Sequence, residues 1–166
     1  MSETDRIEKQ VHLRAPLARV WRAVSDAREF GTWFGVDFDG PFVAGERLTG
    51  RITPTKVDPE IAAMQAPHAG AAFEIAVVTV VPMTTFAFRW HPYAIDPEVD
   101  YSAEASTLVT FELREADDGT VLTIVESGFD SLPIERRAEA FSANEGGWTM
   151  QAQLIAKYLD LGDATS

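Results

Sequence analysis

The sequence contains no cysteine, which excludes disulfide bonds, thiolate chemistry and cysteine-ligated zinc. It also lacks an uninterrupted apolar run of about 18 residues, the length that a membrane-spanning helix needs. The first ten residues, Met1 to Gln10, are polar and contain no signal-peptide core. We therefore expect a protein that does not span a membrane, and the cytoplasm is its default location.

Basic residues are scarce. The chain has 14 lysine and arginine residues against 26 acidic ones, a formal net charge of −12. Its longest basic run is only Arg136-Arg137. Because nucleic-acid phosphates and anionic lipids both require a basic patch, this balance argues against either partner.

Histidine is also rare, and the motifs of several common enzyme classes are missing. His12, His68 and His91 are the three histidines, and no two of them are spaced as helical metal ligands. The sequence has no HExxH, no P-loop, no GxGxxG and no GxSxG segment. We therefore predict no metal site and no cofactor, and no catalytic residues can be assigned.

The most informative segment is a long amphipathic stretch, Pro133 to Leu161. Apolar residues recur there at spacings of three and four, which predicts one long helix with a broad buried face; the residues on that face are Phe141, Glu145, Trp148, Ala152, Ile155 and Leu159. Gly146 and Gly147 each cost a helix about 1 kcal/mol relative to alanine. We interpret Gly147 as allowing close packing of the helix on a strand, with a hinge as the alternative.

The rest of the chain is typical of strands, apart from two short helices near the start. Pro16 and Asp26 suit the first turns of helices over 17–24 and 27–33. The predicted strands are 7–13, 36–38, 46–53, 71–81, 84–91, 105–115 and 120–127. Long loops fill 54–70, with one helical turn near 61–64, and 91–104, whose Tyr93 and Tyr101 could close over a ligand. This order indicates one α+β domain over residues 1–166 with a meander sheet.

Several segments in this order carry a family resemblance; they are Ala15–Trp21, Phe30–Phe34, Phe88–Trp90, Thr107–Leu113, Glu126–Phe129 and Gly147-Trp148. The chain resembles START-like helix-grip proteins, a grouping that includes polyketide cyclases. Within it, the chain is similar to the bacterial branch related to the ATPase activator of the ninety-kilodalton heat-shock chaperone. The resemblance implies a curved antiparallel sheet of six to seven strands wrapped around the C-terminal helix.

The resemblance also implies a cavity between that sheet and that helix. Large inward-facing side chains are the candidate wall residues, namely Trp33, Phe34, Phe73, Ile75, Phe88, Trp90, Phe111 and Trp148. Concave, mostly apolar sites of this kind bind small molecules. The alternative is that these side chains fill the interior completely and form an ordinary core.

Polar residues at inward positions add three more candidates. Glu126 alternates in phase with Leu122 and Ile124, and Glu145 falls between Phe141 and Trp148 on the helix. Gln151, together with Asn144, projects near the same side. Because a buried carboxylate is costly unless paired, the two glutamates could orient a ligand or act as an acid/base pair. Alternatively, Glu126 lies at the wet end of its strand and Glu145 pairs with an arginine such as Arg89.

These observations lead to three functional hypotheses. The first is binding of a small hydrophobic or aromatic molecule in the cavity. The second is a cyclase- or hydratase-type enzyme in which Glu126, Glu145 or His91 moves protons. The third, which the resemblance suggests, is a co-chaperone that acts on a chaperone ATPase. An apolar outer sheet face with Val78 and Val80 also makes a homodimer plausible.

Overall fold

The computed structural model describes residues 6–91 and 105–163, with side chains as far as Asp160. The strands are β1 (Arg6–Leu13), β2 (Val36–Phe38), β3 (Arg47–Ile52), β4 (Ala72–Val81), β5 (Thr85–Trp90), β6 (Thr107–Ala116) and β7 (Gly119–Ser127). The helices are α1 (Leu17–Ser25), α2 (Ala27–Phe34), α3 (Pro59–Gln65) and α4 (Ile134–Asp163). The α+β class, the two short helices after the first strand and the long C-terminal helix are confirmed.

The seven strands form one antiparallel sheet in the order β1-β7-β6-β5-β4-β3-β2. The sheet curves, and α4 packs against β1 and α2 across its inner face. A bulge between Val77 and Thr79 shifts the register of β4 against β5. This architecture is the helix-grip fold that the family resemblance implies.

Alternation along the two central strands decides which side chains reach the helix. On β6, Val109 and Phe111 are fully buried while Glu112 is exposed. On β7, Leu122, Ile124 and Glu126 are all 0% exposed. The predicted phase of Glu126 is therefore confirmed, and the alternative position at a wet strand end is wrong.

Capping residues fix both ends of α2, the helix that packs against α4. The Asp26 carboxylate accepts hydrogen bonds from the backbone N–H groups of Arg28 and Glu29, which satisfies two free donors of the first turn. Gly35 ends the helix with φ of 97°, a left-handed conformation that glycine adopts without strain. Phe34, the last residue of α2, is thereby left half-buried with its ring against Trp148.

Two predictions about the outer parts of the fold need correction. Residues 59–68 form α3 and a short 3-10 turn rather than a loop with one helical turn, because Asp58 caps a helix that Pro59 begins. Val80 packs against the core, since the bulge beside Val78 reverses the side on which later residues of β4 point. The predicted apolar outer face therefore does not form as expected.

The second predicted loop, with Tyr93 and Tyr101, lies outside the described residues. Within the described part of the chain, no helix is both long and apolar enough to cross a membrane.

Candidate functional site

Glu126 is the buried polar centre of the molecule. Its side chain extends from β7 toward α4 and is 0% exposed. One oxygen, Oε2, accepts hydrogen bonds from Trp90 Nε1 at 2.8 Å and from Thr107 Oγ1 at 2.5 Å. The other, Oε1, accepts from Trp148 Nε1 at 2.8 Å and from Asn144 Nδ2 at 2.9 Å. One carboxylate therefore connects three strands of the sheet to the long helix.

These four donors use the full capacity of the carboxylate. An ionised carboxylate has about four lone-pair sites, and each oxygen of Glu126 accepts two bonds. None of the ion pairs in the described part of the chain involves Glu126. The negative charge is therefore balanced by neutral donors, and both indole rings are held in fixed orientations.

A small pocket lies between these two rings, the end of α2 and the helix α4. Its volume is about 80 Å³, and it is lined by Phe34, Trp90, Asn144, Gly147, Trp148 and Gln151. The ring centroids of Trp90 and Trp148 are 5.7 Å apart, and that of Phe34 lies 6.3 Å and 6.0 Å from them. The three rings therefore form an aromatic wall around an open space.

Gly147 helps to keep this space open. A Cβ atom added at Gly147 would meet no atom within 4 Å. The interpretation that Gly147 permits close contact between helix and strand is therefore wrong, because no neighbouring atom approaches it. The same holds for Gly146, which is exposed on α4.

The two amide side chains that line the pocket have orientations set by their partners. Gln151 Nε2 donates to the carbonyl oxygen of Phe34 at 3.1 Å, and Asn144 Nδ2 donates to Glu126. Because both partners accept hydrogen bonds and cannot donate them, each amide must turn its nitrogen toward the partner. Gln151 Oε1 is then buried without a hydrogen-bond partner. Such an atom needs a donor from water or from a ligand.

The structure brings together only some of the sequence-predicted site residues. Phe34, Trp90, Trp148 and Gln151 line the pocket, and Glu126 lies behind it. Phe73 is half-buried with its ring centroid 6.1 Å from that of Trp90. The remaining candidates are core residues that do not line the pocket, namely Trp33, Ile75, Phe88 and Phe111. Trp33 in addition donates its indole N–H to the carbonyl oxygen of Ala23.

Glu145 is not in the site, and its predicted inward position is wrong. It is exposed on α4 and pairs with Lys9 at 3.8 Å, rather than with Arg89. The reason is helical geometry. At 100° per residue, Asn144, four residues before Trp148, points about 40° away from Trp148 around the helix axis. Glu145, three residues before Trp148, points about 60° away on the other side. Asn144 therefore faces the sheet, and Glu145 faces solvent.

Among the described residues, the space between sheet and helix holds a small pocket rather than the large cavity predicted there, because the aromatic rings fill most of that space. A larger groove of about 720 Å³ exists on another part of the surface, where the start of α2 and β2 line it together with 39–42, 53–54 and Lys56. It contains none of the predicted site residues. The small pocket is the stronger candidate because a buried polar atom there lacks a partner.

Sequence reasoning did not select Thr107, and it named Asn144 without choosing it as a site residue. A signal existed for Thr107, since it alternates in phase with the buried Val109 and Phe111. His91 follows β5, and its Nδ1 is buried without a partner, but it does not line the pocket. Among the described residues, no group of three or more His, Cys, Asp or Glu side chains could hold a metal ion.

Comparison with known proteins supports the fold. A protein from the dynemicin biosynthetic locus, DynU16, is 24% identical with a TM-score of 0.67; the match covers 95% of this chain but 48% of that one. This chain thus spans about half the length of DynU16. A Mesorhizobium loti protein is 23% identical with a TM-score of 0.67, covering 93% of this chain and 96% of that one. A search of curated protein sequences found no match.

The Aha1 dimer of Colwellia psychrerythraea has the same fold, at 14% identity and a TM-score of 0.66 over 95% of this chain and 97% of that one. Together, the curved sheet and the enclosed helix define a START-like helix-grip protein. The family described as Activator of Hsp90 ATPase homolog 1-like protein matches residues 14–160, and the chain belongs to that family.

Proposed function

We propose that this protein binds a small hydrophobic or aromatic molecule in the pocket between Phe34, Trp90 and Trp148. The observation that carries the proposal is the buried Gln151 Oε1, which has no hydrogen-bond partner beside an aromatic-lined space. A few polar groups set within an apolar wall are what small-molecule sites usually contain.

The pocket is small in this form, and a ligand must widen it. Its volume of about 80 Å³ is well below the several hundred Å³ that drug-sized ligands occupy. Trp90 and Trp148 are held by Glu126, whereas Phe34 has no polar anchor and stacks on Phe30 with centroids 4.9 Å apart. We therefore expect Phe34 to be the ring that moves when a ligand enters.

The geometry favours binding over acid/base catalysis. A general base must have a free lone pair within reach of the proton that it removes. Both oxygens of Glu126 already accept two hydrogen bonds, and Glu145 is exposed on α4 and pairs with Lys9 outside the pocket. Glu126 therefore acts in this proposal as a positioning residue that fixes the two indole rings.

Substitutions at the adjacent glycines test the proposal. A leucine at Gly147 would project into the pocket, whereas one at Gly146 would extend from an exposed position, and neither added Cβ meets an atom within 4 Å. Toluene, indole and naphthalene are titrated against ¹⁵N-labelled protein, with the four tryptophan indole N–H signals as reporters. We expect the Trp90 and Trp148 signals to shift in wild type and in Gly146→Leu, but not in Gly147→Leu.

Two results would contradict the proposal. One is that none of the three probes shifts the Trp90 and Trp148 signals of the wild-type protein. The other is that Gly147→Leu responds as the wild type does, which would place binding elsewhere. Trp21 serves as the internal control, since it does not line the pocket, whereas the Trp33 ring lies 5.8 Å from that of Phe34 and should respond if Phe34 moves.

We also propose that the chain forms a homodimer. The observation in favour is that Val78, Val81 and Met83, on β4 and the turn after it, are 45%, 47% and 42% exposed. We expect light scattering to give twice the monomer mass, and Val81→Lys to lower it. A monomeric wild type at high concentration would refute the dimer.

A chaperone partner and a cytoplasmic location remain predictions. Recovery of the chaperone in a pull-down would support the chaperone partner.

A further inference from the structure

One of the residues that line the pocket has a buried hydrogen-bond acceptor without a partner, the amide oxygen Gln151 Oε1. The indole N–H groups of Trp90 and Trp148 are both used by Glu126. Asn144 Nδ2 and Gln151 Nε2 each donate one N–H, to Glu126 and to the Phe34 carbonyl oxygen respectively. Gln151 Oε1 is left buried without a partner. A ligand that satisfies this oxygen must donate a hydrogen bond.

The orientation of Gln151 is difficult to reverse. Its partner, the carbonyl oxygen of Phe34, also accepts a bond from Gln65 Nε2 at 3.0 Å, so both of its lone pairs are in use. If the Gln151 amide turned over, its oxygen would face a carbonyl oxygen. The acceptor character of the pocket is therefore built into the packing of α2 against α4.

The electrostatics around the pocket favour positive charge. Three aromatic rings line it, and aromatic faces attract cations, tryptophan most strongly. The carboxylate of Glu126 lies behind both indoles and accepts their N–H bonds, which increases the electron density on the ring faces. None of the pocket-lining residues is a lysine or an arginine.

We propose that the ligand of this pocket carries a small organic ammonium group, which the three rings surround and which donates a hydrogen bond to Gln151 Oε1. This inference rests on the proposed function, because it assigns a chemical class to the ligand of the same site. A carboxylate or phosphate ligand fits less well, since it would leave the unpartnered Gln151 Oε1 without a donor and would face the negative potential of Glu126.

A matched ligand series tests the charge preference. Toluene, benzyl alcohol, benzylamine and benzoate share one ring and differ in the polar group; benzylamine is positively charged and benzoate negatively charged at neutral pH. Titrations followed by the Trp90 and Trp148 indole signals are run at about 0.15 M salt to screen the general attraction of an acidic protein for cations. We expect benzylamine to bind at least about tenfold more tightly than benzyl alcohol, and benzoate to cause no shift.

Two variants on α4 separate the pocket from the rest of the surface. Gln151→Met removes the acceptor at nearly constant size, and we expect it to lower the preference of benzylamine over toluene severalfold. Gln153→Met makes the same change at an exposed position one half-turn away, and we expect no effect. If Gln151→Met does not fold, the ligand series on wild type and Gly147→Leu still decides the question.

The outcomes distinguish this inference from the proposed function. If toluene and benzyl alcohol bind as tightly as benzylamine, or if benzoate competes, the ammonium proposal is overturned while the ligand pocket stands. If no member of the series shifts the two indole signals, both proposals fail. Equal binding of benzylamine to wild type and Gly147→Leu would show that it associates with the acidic surface only, which also overturns the inference.

Discussion

Replacing Glu126 by glutamine provides a sensitive test of the hydrogen-bond network. The change alters no side-chain volume, but one carboxylate oxygen becomes an NH₂ group. Whichever oxygen is replaced, that group faces an indole N–H, from Trp90 on one side or from Trp148 on the other. Two donors then meet, and one indole loses its acceptor. Thr107 could turn its hydroxyl to accept instead, but an indole cannot.

The magnitude follows from these contacts. A hydrogen bond to a charged group contributes about 1.5–3 kcal/mol, and a buried donor without a partner costs about 1–3 kcal/mol. Removing the buried charge offsets part of this loss, because a carboxylate is costly to desolvate. We therefore expect Glu126→Gln to lower the free energy of unfolding by about 2–4 kcal/mol, a large fraction of the roughly 5–15 kcal/mol typical of domains.

Urea denaturation with linear extrapolation measures this loss, and Glu145→Gln is the matched control. Glu145 is exposed, and its ion pair with Lys9 at 3.8 Å should contribute less than about 1 kcal/mol. The indole N–H signal of Trp90 or Trp148 should also move in Glu126→Gln and in no control. A loss below about 1 kcal/mol, or equal losses in the two variants, would refute the assignment of Glu126 as the centre of the network.

Three further predictions concern α4 and its contacts. Gly146→Ala and Gly147→Ala should each raise the free energy of unfolding by up to about 1 kcal/mol, since neither added Cβ meets a neighbour; a loss in urea denaturation would contradict this. Asp58→Asn should destabilise the protein at neutral pH but progressively less in acid. The hydrogen bond from Lys157 and the backbone N–H of Ile61 hold the pKa of Asp58 below its ordinary value, so its contribution disappears as the pH falls through that lowered value; a difference independent of pH would refute the pairing. Burial and the hydrogen bond to Glu29 raise the pKa of Tyr158 above its ordinary value of 10.0. The stability that protonated Tyr158 contributes is therefore complete below pH 10 and is lost as the pH rises through the raised pKa. In thermal unfolding at alkaline pH, Tyr158→Phe should therefore lose less stability with rising pH than wild type, and parallel curves would contradict the prediction.

The fold was largely predictable because the hydrophobic period is strong in both the sheet and the long helix. The predicted helix over 133–161 corresponds to α4 at Ile134–Asp163, and the predicted strand 120–127 corresponds to β7 at Gly119–Ser127. Residues 59–65 were harder, because alanines and a proline give α3 little periodicity. The capping signal of Asp58 followed by Pro59 was the better guide to that helix.

The site was predictable only in part. Alternation along β7 placed Glu126 correctly. Side chains of a strand alternate between the two faces of the sheet, so Glu126 must share the face of Leu122 and Ile124. A helix is less decisive, since Asn144 and Glu145 both lie near the direction of Trp148. The sequence could not show which of the two faces the sheet. It also could not show that the hydrogen bonds of Glu126 draw the two indoles together, which leaves a pocket of about 80 Å³ instead of a wide cavity.

The most direct test of the ligand site is native mass spectrometry of wild type and Gly147→Leu, each purified from the protein's own source. We expect wild type to carry a bound small molecule that Gly147→Leu lacks, and denatured extraction to release an amine. Identical spectra for the two proteins, with the same bound mass on both or on neither, would contradict the claim that this pocket is the binding site.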